Sequence, residues 1–224
     1  MLSMGIDHAL GRYRDEILRW NHQISLVSRV DASAVVADQV DQCRRAWSLL
    51  AGSFTEKGFG GAGCWIDVGS GGGLPGLVWA AERAELHWGG STMLVEPREK
   101  RAWFLSRAAR AMGVPRAEVL DCRWGEWGDG RADRDESLAV VSFKALRMSD
   151  SDVLAGFGAD SGFVGLRRVV VVRFLWPEAW CLEQLGEEFG VGRGEGCGGW
   201  GVEGVEILGD EQPRLLVTEY CRQV

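Results

Sequence analysis

The run Asp67-Val-Gly-Ser-Gly-Gly-Gly-Leu-Pro-Gly76 gathers the residue types best able to hold a ligand. It follows a short apolar stretch, Cys64-Trp-Ile66, that reads as a buried strand. It leads into Leu74 to Ala81, which can start a helix. Strand, glycine turn and helix together suit a ligand of nucleotide type. Glycine lets the backbone turn sharply and come close, and a helix N-terminus presents unpaired N–H groups. The order here is Asp-x-Gly-x-Gly-x-Gly, whereas the dinucleotide fingerprint places a glycine where Leu74 stands. Contacts are expected at Gly69, Gly71, Gly73 and Leu74, with Asp67 chiefly bonded to the turn and holding its shape. A second acid should follow about 20 residues on, at the end of the next strand. Glu96 stands there, after Met93-Leu-Val, and its carboxylate can accept two hydrogen bonds from a ribose in a fixed plane.

Two other groups of charged residues fall near this loop. Arg98, Lys100 and Arg101 open a helix predicted over Glu99 to Met112, stopped by Gly113 and Pro115. On a helical wheel Lys100, Trp103, Arg107 and Arg110 share one arc, while Phe104, Leu105, Ala108 and Met112 share the opposite one. The apolar arc should pack on a sheet. The basic arc suits a solvated face equally well as a surface for gripping phosphates and stacking a base; Lys100, Arg101, Arg107 and Arg110 are the candidate RNA contacts. Lys144, after the apolar run Leu138 to Phe143, should lie at the carboxyl edge of a sheet, where open α/β sheets bind ligands.

The net charge of −7 argues against a general nucleic-acid binder, though not against a local basic patch. Cys43, Cys64, Cys122, Cys181, Cys197 and Cys221 are scattered without a Cys-x-x-Cys pair, and three histidines complete a poor ligand set. No metal is expected, and reduced thiols in a cytoplasmic protein are the better reading. No apolar run approaches the length of a membrane span, and Val169 to Val172 is strand-sized, so no membrane span is expected. Most of the eleven tryptophans are expected to serve packing.

The elements that must position these residues follow from periodicity. Residues 7 to 50 read as helical, with Tyr13, Ile17, Leu18, Trp20 and Ile24 at three-to-four spacing, a break at Asp31-Ala-Ser33, and Val35, Val36 and Val40 beyond it. A glycine-rich link, Gly52 to Gly63, leads into the first strand. Strands are predicted at Ser91 to Glu96, Glu118 to Leu120, Leu138 to Phe143 and Val169 to Phe174, with a helical turn or two at Ser151 to Phe157 and a helix from Pro177 to about Phe189. Gly190 to Gly201 is too rich in glycine to pack regularly. Val202 to Leu208 and Leu215 to Tyr220 read as an antiparallel hairpin. This alternation calls for an α/β fold, a mostly parallel sheet with an antiparallel last strand. Residues 1–51 form a helical extension and residues 64–224 the main domain of one compact unit.

An acid two positions before the first glycine resembles the first motif of S-adenosylmethionine (SAM) methyltransferases, whose Rossmann-like sheet has an antiparallel final strand. In that fold the segment Asp121-Cys-Arg-Trp-Gly-Glu126 lies where adenine is held, so Trp124 and Gly125 become candidate contacts. The likeness sharpens over Tyr13 to Ala145. Gly-Leu-Pro-Gly after the generic glycines, Lys100-Arg-Ala-Trp-Phe-Leu105 and Trp20-Asn-His-Gln-Ile24 resemble the RsmG (GidB) family. These are methyltransferases of guanine N7 in 16S ribosomal RNA. The resemblance implies SAM as cofactor, the small ribosomal subunit as partner, a monomer, and cofactor contacts at Gly69, Leu74, Trp124, Gly125 and Lys144. Lys144 stands where the family has arginine and lacks its planar fork. The family's Arg-His-x-x-Asp-Ser run appears as Ala37-Asp-Gln-Val-Asp-Gln42, keeping only Asp41, and its Leu-Lys-Gly has no counterpart in Val172-Arg-Phe-Leu175.

Guanine N7 has a free lone pair and loses no proton when it is methylated. A site with no general base therefore suits it, and catalysis rests on positioning. A SAM-dependent enzyme of another substrate is the alternative raised by the altered positions Asp38 and Lys144, and a non-catalytic SAM-binding protein associated with the ribosome is the one raised by net acidity and the lost substrate-side residues.

Overall fold

The structure is a computed structural model. It describes residues 5–59, 63–114, 116–126, 137–158, 161–163, 165–175 and 199–223. Seven strands form one sheet: β1 (Cys64–Val68), β2 (Ser91–Val95), β3 (Ala117–Leu120), β4 (Leu138–Phe143), β5 (Arg168–Leu175), β6 (Trp200–Leu208) and β7 (Arg214–Arg222). Their order is β3-β2-β1-β4-β5-β7-β6. The first five pair in parallel, and β7 runs antiparallel between β5 and β6. The expected α/β sheet with an antiparallel last strand is therefore present.

Every residue of β1 and β4 is buried, as strands covered on both faces require. Successive side chains go to opposite faces. Trp65, Leu94, Val140, Val170 and Val172 join the core under helices α1 (Ile6–Ile24), α2 (Ala32–Glu56), α3 (Gly76–Glu85) and α4 (Glu99–Met112). Ile66, Met93, Val141, Val169 and Val171 face the other way, with Val153 and Leu154 of the short α5 (Asp150–Ala155). Tryptophans do pack: Trp47 lies 5.4 Å from Trp65, 6.4 Å from Trp79 and 5.2 Å from Trp88 between ring centroids.

Two expectations shift, and a third lies beyond what the structure describes. The helix α2 continues through Gly52 to Glu56, where a link was expected. One glycine inside a helix costs only about 1 kcal/mol, and Trp47, Leu50 and Phe54 continue the buried stripe across it. The last hairpin starts at Trp200, which is buried against the guanidinium of Arg222. The helix predicted at 177–189 and most of the glycine-rich stretch lie outside the described residues. Among the described residues no helix is long and apolar enough to cross a membrane, and no cluster of three metal-ligating side chains occurs.

The helices of the extension are held down by chemistry as well as by apolar packing. Tyr13 of α1 is fully buried, and its hydroxyl donates to the Gly72 carbonyl at 2.7 Å. Glu16 of the same helix grips the guanidinium of Arg107 on α4, and Trp20 meets Trp103 edge-on at 4.8 Å.

Candidate cofactor and substrate cleft

The strand order reverses between β1 and β4, and a cleft of about 560 Å³ opens there at the carboxyl ends of the strands. Crevices at such a reversal are where open α/β sheets bind ligands. One rim is backbone. Gly69, Ser70, Gly71 and Gly72 follow β1 directly into the cleft wall, with Leu74 beyond them. The loop is tied to its neighbour strand, because the N–H groups of Gly69 and Ser70 both donate to the Val95 carbonyl, at 2.9 and 3.1 Å. Gly69 and Gly71 take φ of +68° and +54°, conformations that glycine alone adopts without cost.

Glu96 faces the cleft from the end of β2 and is only 4% exposed. One carboxylate oxygen accepts from the Gly71 N–H at 2.9 Å and the other from the Arg98 N–H at 3.0 Å. An ionised carboxylate offers about four acceptor positions, so two remain beside the glycine loop.

Asp67 holds the turn, the chief part expected of it, from behind the loop and away from the cleft lining, so no ligand contact is placed at its carboxyl. It is 2% exposed. Its oxygens accept from the Gly76 N–H at 3.2 Å and the Ser142 hydroxyl at 3.0 Å. The carboxylate thus caps the N-terminus of α3, where the helix dipole favours negative charge. Burial pushes its pKa up to about 7, against those hydrogen bonds. Gly73 is likewise structural: a Cβ there would lie 2.6 Å from a Leu77 methyl.

The opposite rim comes from the helical extension and from the end of β4. Asn21, buried at the end of α1, accepts from the N–H groups of Leu26 and Val27 at 2.8 and 2.9 Å. This turns Leu26, Val27 and Ser28 into the cleft wall. Arg101 of α4 lines the cleft too and donates to the Ser25 carbonyl at 3.1 Å. The sequence offered one signal for this rim, the Trp20-Asn21 pair, but not the reason for it.

Lys144 lies in the cleft as expected, half-buried, with its ammonium donating to Gln39 Oε1. Burial holds its pKa below the ordinary lysine value, while Asp38 and Asp67 pull the other way. Within the altered run Ala37 to Gln42 it is Gln39 that lines the cleft. Asp38, the position singled out from the sequence, is exposed and accepts from Gln42 at 2.8 Å. Helix phase decides this, because neighbouring residues on a helix point about 100° apart.

Trp124 and Gly125 fall outside the cleft lining. The Trp124 indole donates to the Asp152 carbonyl at 3.0 Å and packs edge-on against Phe157 at 5.4 Å. Its ring is committed to α5, and only backbone at 124–125 remains for a ligand. Arg173, where the Leu-Lys-Gly segment was sought, is 2% exposed and paired with Asp150, which also accepts from the Tyr220 hydroxyl. On α4 the basic arc divides. Lys100 and Arg110 are exposed, Arg101 faces the cleft, and Arg107 is held by Glu16.

The profile of the family described as rRNA small subunit methyltransferase G (GidB) matches residues 6–153. The chain belongs to this family. Ribosomal RNA small subunit methyltransferase G of Cereibacter sphaeroides is 34% identical over 137 residues, covering 61% of this chain and 59% of that protein. The Bordetella pertussis protein of the same name is 29% identical over 152 residues, 68% of this chain and 62% of its own length. The chain therefore spans about six tenths of these family members. Among solved structures, MtNAS in complex with MTA and tNA aligns with a TM-score of 0.54 at 13% identity, over 98% of this chain and 71% of that one. A mutant of MtNAS in complex with S-adenosylmethionine gives 0.51 at 10% identity, over 98% and 97%. At such identity the likeness is one of fold.

Proposed function

We propose that the chain is a SAM-dependent methyltransferase acting on N7 of a guanine in 16S ribosomal RNA of the small subunit, as a monomer in the cytoplasm. The extension 1–51 and the domain 64–224 work as one unit in this reading. Gly72 carries it. Its φ lies outside the left-handed region, and an added Cβ would meet nothing closer than 3.7 Å. Neither backbone strain nor core packing demands glycine there, which leaves close approach of a ligand. Gly71 has similar room, with its nearest neighbours at 3.7 Å.

The residues present fit SAM. Gly69, Gly71, Gly72 and Leu74 would hold it along the loop, Glu96 would accept from its ribose hydroxyls, and Lys144 with the backbone at 124–125 would complete the contacts. SAM supplies an electrophilic methyl group on a sulfonium. The protein's part is to bind it, shut out water and present the acceptor in line. Among the described residues the titratable side chains lining the cleft are Glu96, Arg98, Arg101 and Lys144. Glu96 accepts from two N–H groups and Lys144 donates to Gln39, so both are engaged in holding the cleft. That suits N7, which loses no proton. Lys100 and Arg110 are the exposed cations that would meet RNA phosphates, with Arg101 at the mouth of the cleft and Arg107 held on α4 beside them.

The test is transfer from radiolabelled SAM to small subunits that lack the modification, followed by borohydride and aniline cleavage at N7-methylguanine. One new cut is expected. Bound SAM with no cut and no label in the RNA refutes this reading.

A further inference from the structure

The side chain of Gln39 lies on the substrate rim and is assigned no part by the cofactor contacts above. It projects from α2 into the same cleft as the glycine loop and Lys144. Its amide could face either way, but its partner decides. An ammonium group only donates, so Oε1 must face Lys144 and the NH₂ must face away. Among the described residues that NH₂ donates to nothing.

A free glutamine usually reads adenine, accepting from N6–H while donating to N7. Gln39 cannot do so, because its one acceptor is committed to Lys144. What it has left is a pair of donors. Guanine carries two acceptors, O6 and N7, on the edge that reacts, whereas adenine carries a donor at position 6. N7 must keep its lone pair free for the methyl group, so the acceptor available for recognition is O6.

We propose that Gln39, its amide oriented by Lys144, reads O6 of the target guanine and fixes N7 for attack. This rests on the methyltransferase reading above and adds the specificity residue to it. Lys144 then serves both rims: it can touch the cofactor side while it sets the donor direction of Gln39. An adenine in the same place would set its N6–H₂ against the Gln39 NH₂, donor to donor. The helical extension thus supplies the base-reading group, and the sheet supplies the cofactor loop.

The experiment compares wild type, Gln39→Ala and Gln39→Glu in two assays. SAM affinity is read by calorimetry, and kcat/KM is read by methyl transfer to unmodified small subunits. Gln39→Ala should leave SAM affinity within about twofold and lower kcat/KM roughly tenfold or more, the range for loss of a good base contact. Gln39→Glu is nearly the same shape and can still pair with Lys144, so it guards against misfolding of the alanine variant. Ionised, it offers no donor. Its transfer should recover as pH falls and the carboxyl regains an O–H, a trend that wild type lacks. Transfer by Gln39→Ala within about twofold of wild type overturns the proposal, as does a loss of SAM affinity that accounts for the whole defect. A pH profile of Gln39→Glu parallel to wild type also overturns it. If wild type binds SAM but methylates nothing, the methyltransferase reading fails and the Gln39 role falls with it.

Discussion

The two rims of the cleft are built from different material. On the Gly69–Gly72 rim the working surface is backbone, braced by acids from neighbouring strands: Asp67 behind it and Glu96 beside it. On the Leu26–Gln39 rim the surface is side chains, and helices of the extension hold it in place through Asn21 and Arg101. A backbone surface constrains residue type severely, because only glycine permits the turn and the approach. A side-chain surface can be rebuilt one residue at a time, and here it is built around the pair Gln39 and Lys144.

The comparison breaks most directly at Gly71. Gly71→Val places a branched side chain at φ +54°, with no protein atom nearer than 3.7 Å. It should abolish SAM binding by calorimetry while the protein stays folded, at a strain of about 1–3 kcal/mol. Retained affinity would mean that the backbone rim is not the binding surface.

Asp67→Asn tests the brace. The folded carboxyl keeps its proton to about pH 7, whereas the unfolded chain releases it near the ordinary aspartate value of 3.8. Between those values the folded state binds more protons, so this group's contribution to stability falls as pH rises and levels off above about 7. At 1.36 kcal/mol per pH unit the fall is at most about 4 kcal/mol. Asparagine can accept from Gly76 and donate to Ser142 without a charge, and it should flatten the slope of the urea midpoint between pH 4 and 7. An unchanged slope would remove Asp67 as its source.

Glu96→Ala should weaken SAM by about 1–3 kcal/mol, the cost of leaving polar partners unmet. Affinity equal to wild type would reduce Glu96 to a clasp between Gly71 and Arg98. Tyr13→Phe is the gentlest test and the one that sharpens the contrast. It removes a single hydrogen bond to Gly72, worth about 1 kcal/mol. A matching loss in SAM affinity would show the extension bracing the backbone rim as well as forming the other one. An effect on melting temperature alone would confine Tyr13 to packing.

The backbone rim was legible in the sequence because glycine spacing is a geometric statement, and Glu96 followed from strand length. The alternating sheet and its final hairpin were legible from period-two and period-four patterns. The other rim was not. Periodicity gives the buried face of a helix but not what that face meets, so the packing of Glu16 and Trp20 on Arg107 and Trp103 was invisible, and the basic arc of α4 looked wholly free. Gln39 was passed over for Asp38 because helix phase decides which of two adjacent residues faces the cleft. The direction of the Trp124 ring was hidden for a related reason, since a residue after a strand carries no periodic signal of where its side chain turns.

Tyr13 and its neighbours also set a schedule for the growing chain. The helix α1 finds its partners 59 residues ahead at Gly72, 91 ahead at Arg107 and 99 ahead at Ala111. During synthesis it emerges before α4, yet much of its buried face has no seat until α4 has followed it out. Contacts so distant in sequence form late, because the intervening loop must close first. The glycine loop therefore gains its support from Tyr13 only once α1 can settle against α4. A helix made early must wait for one made later.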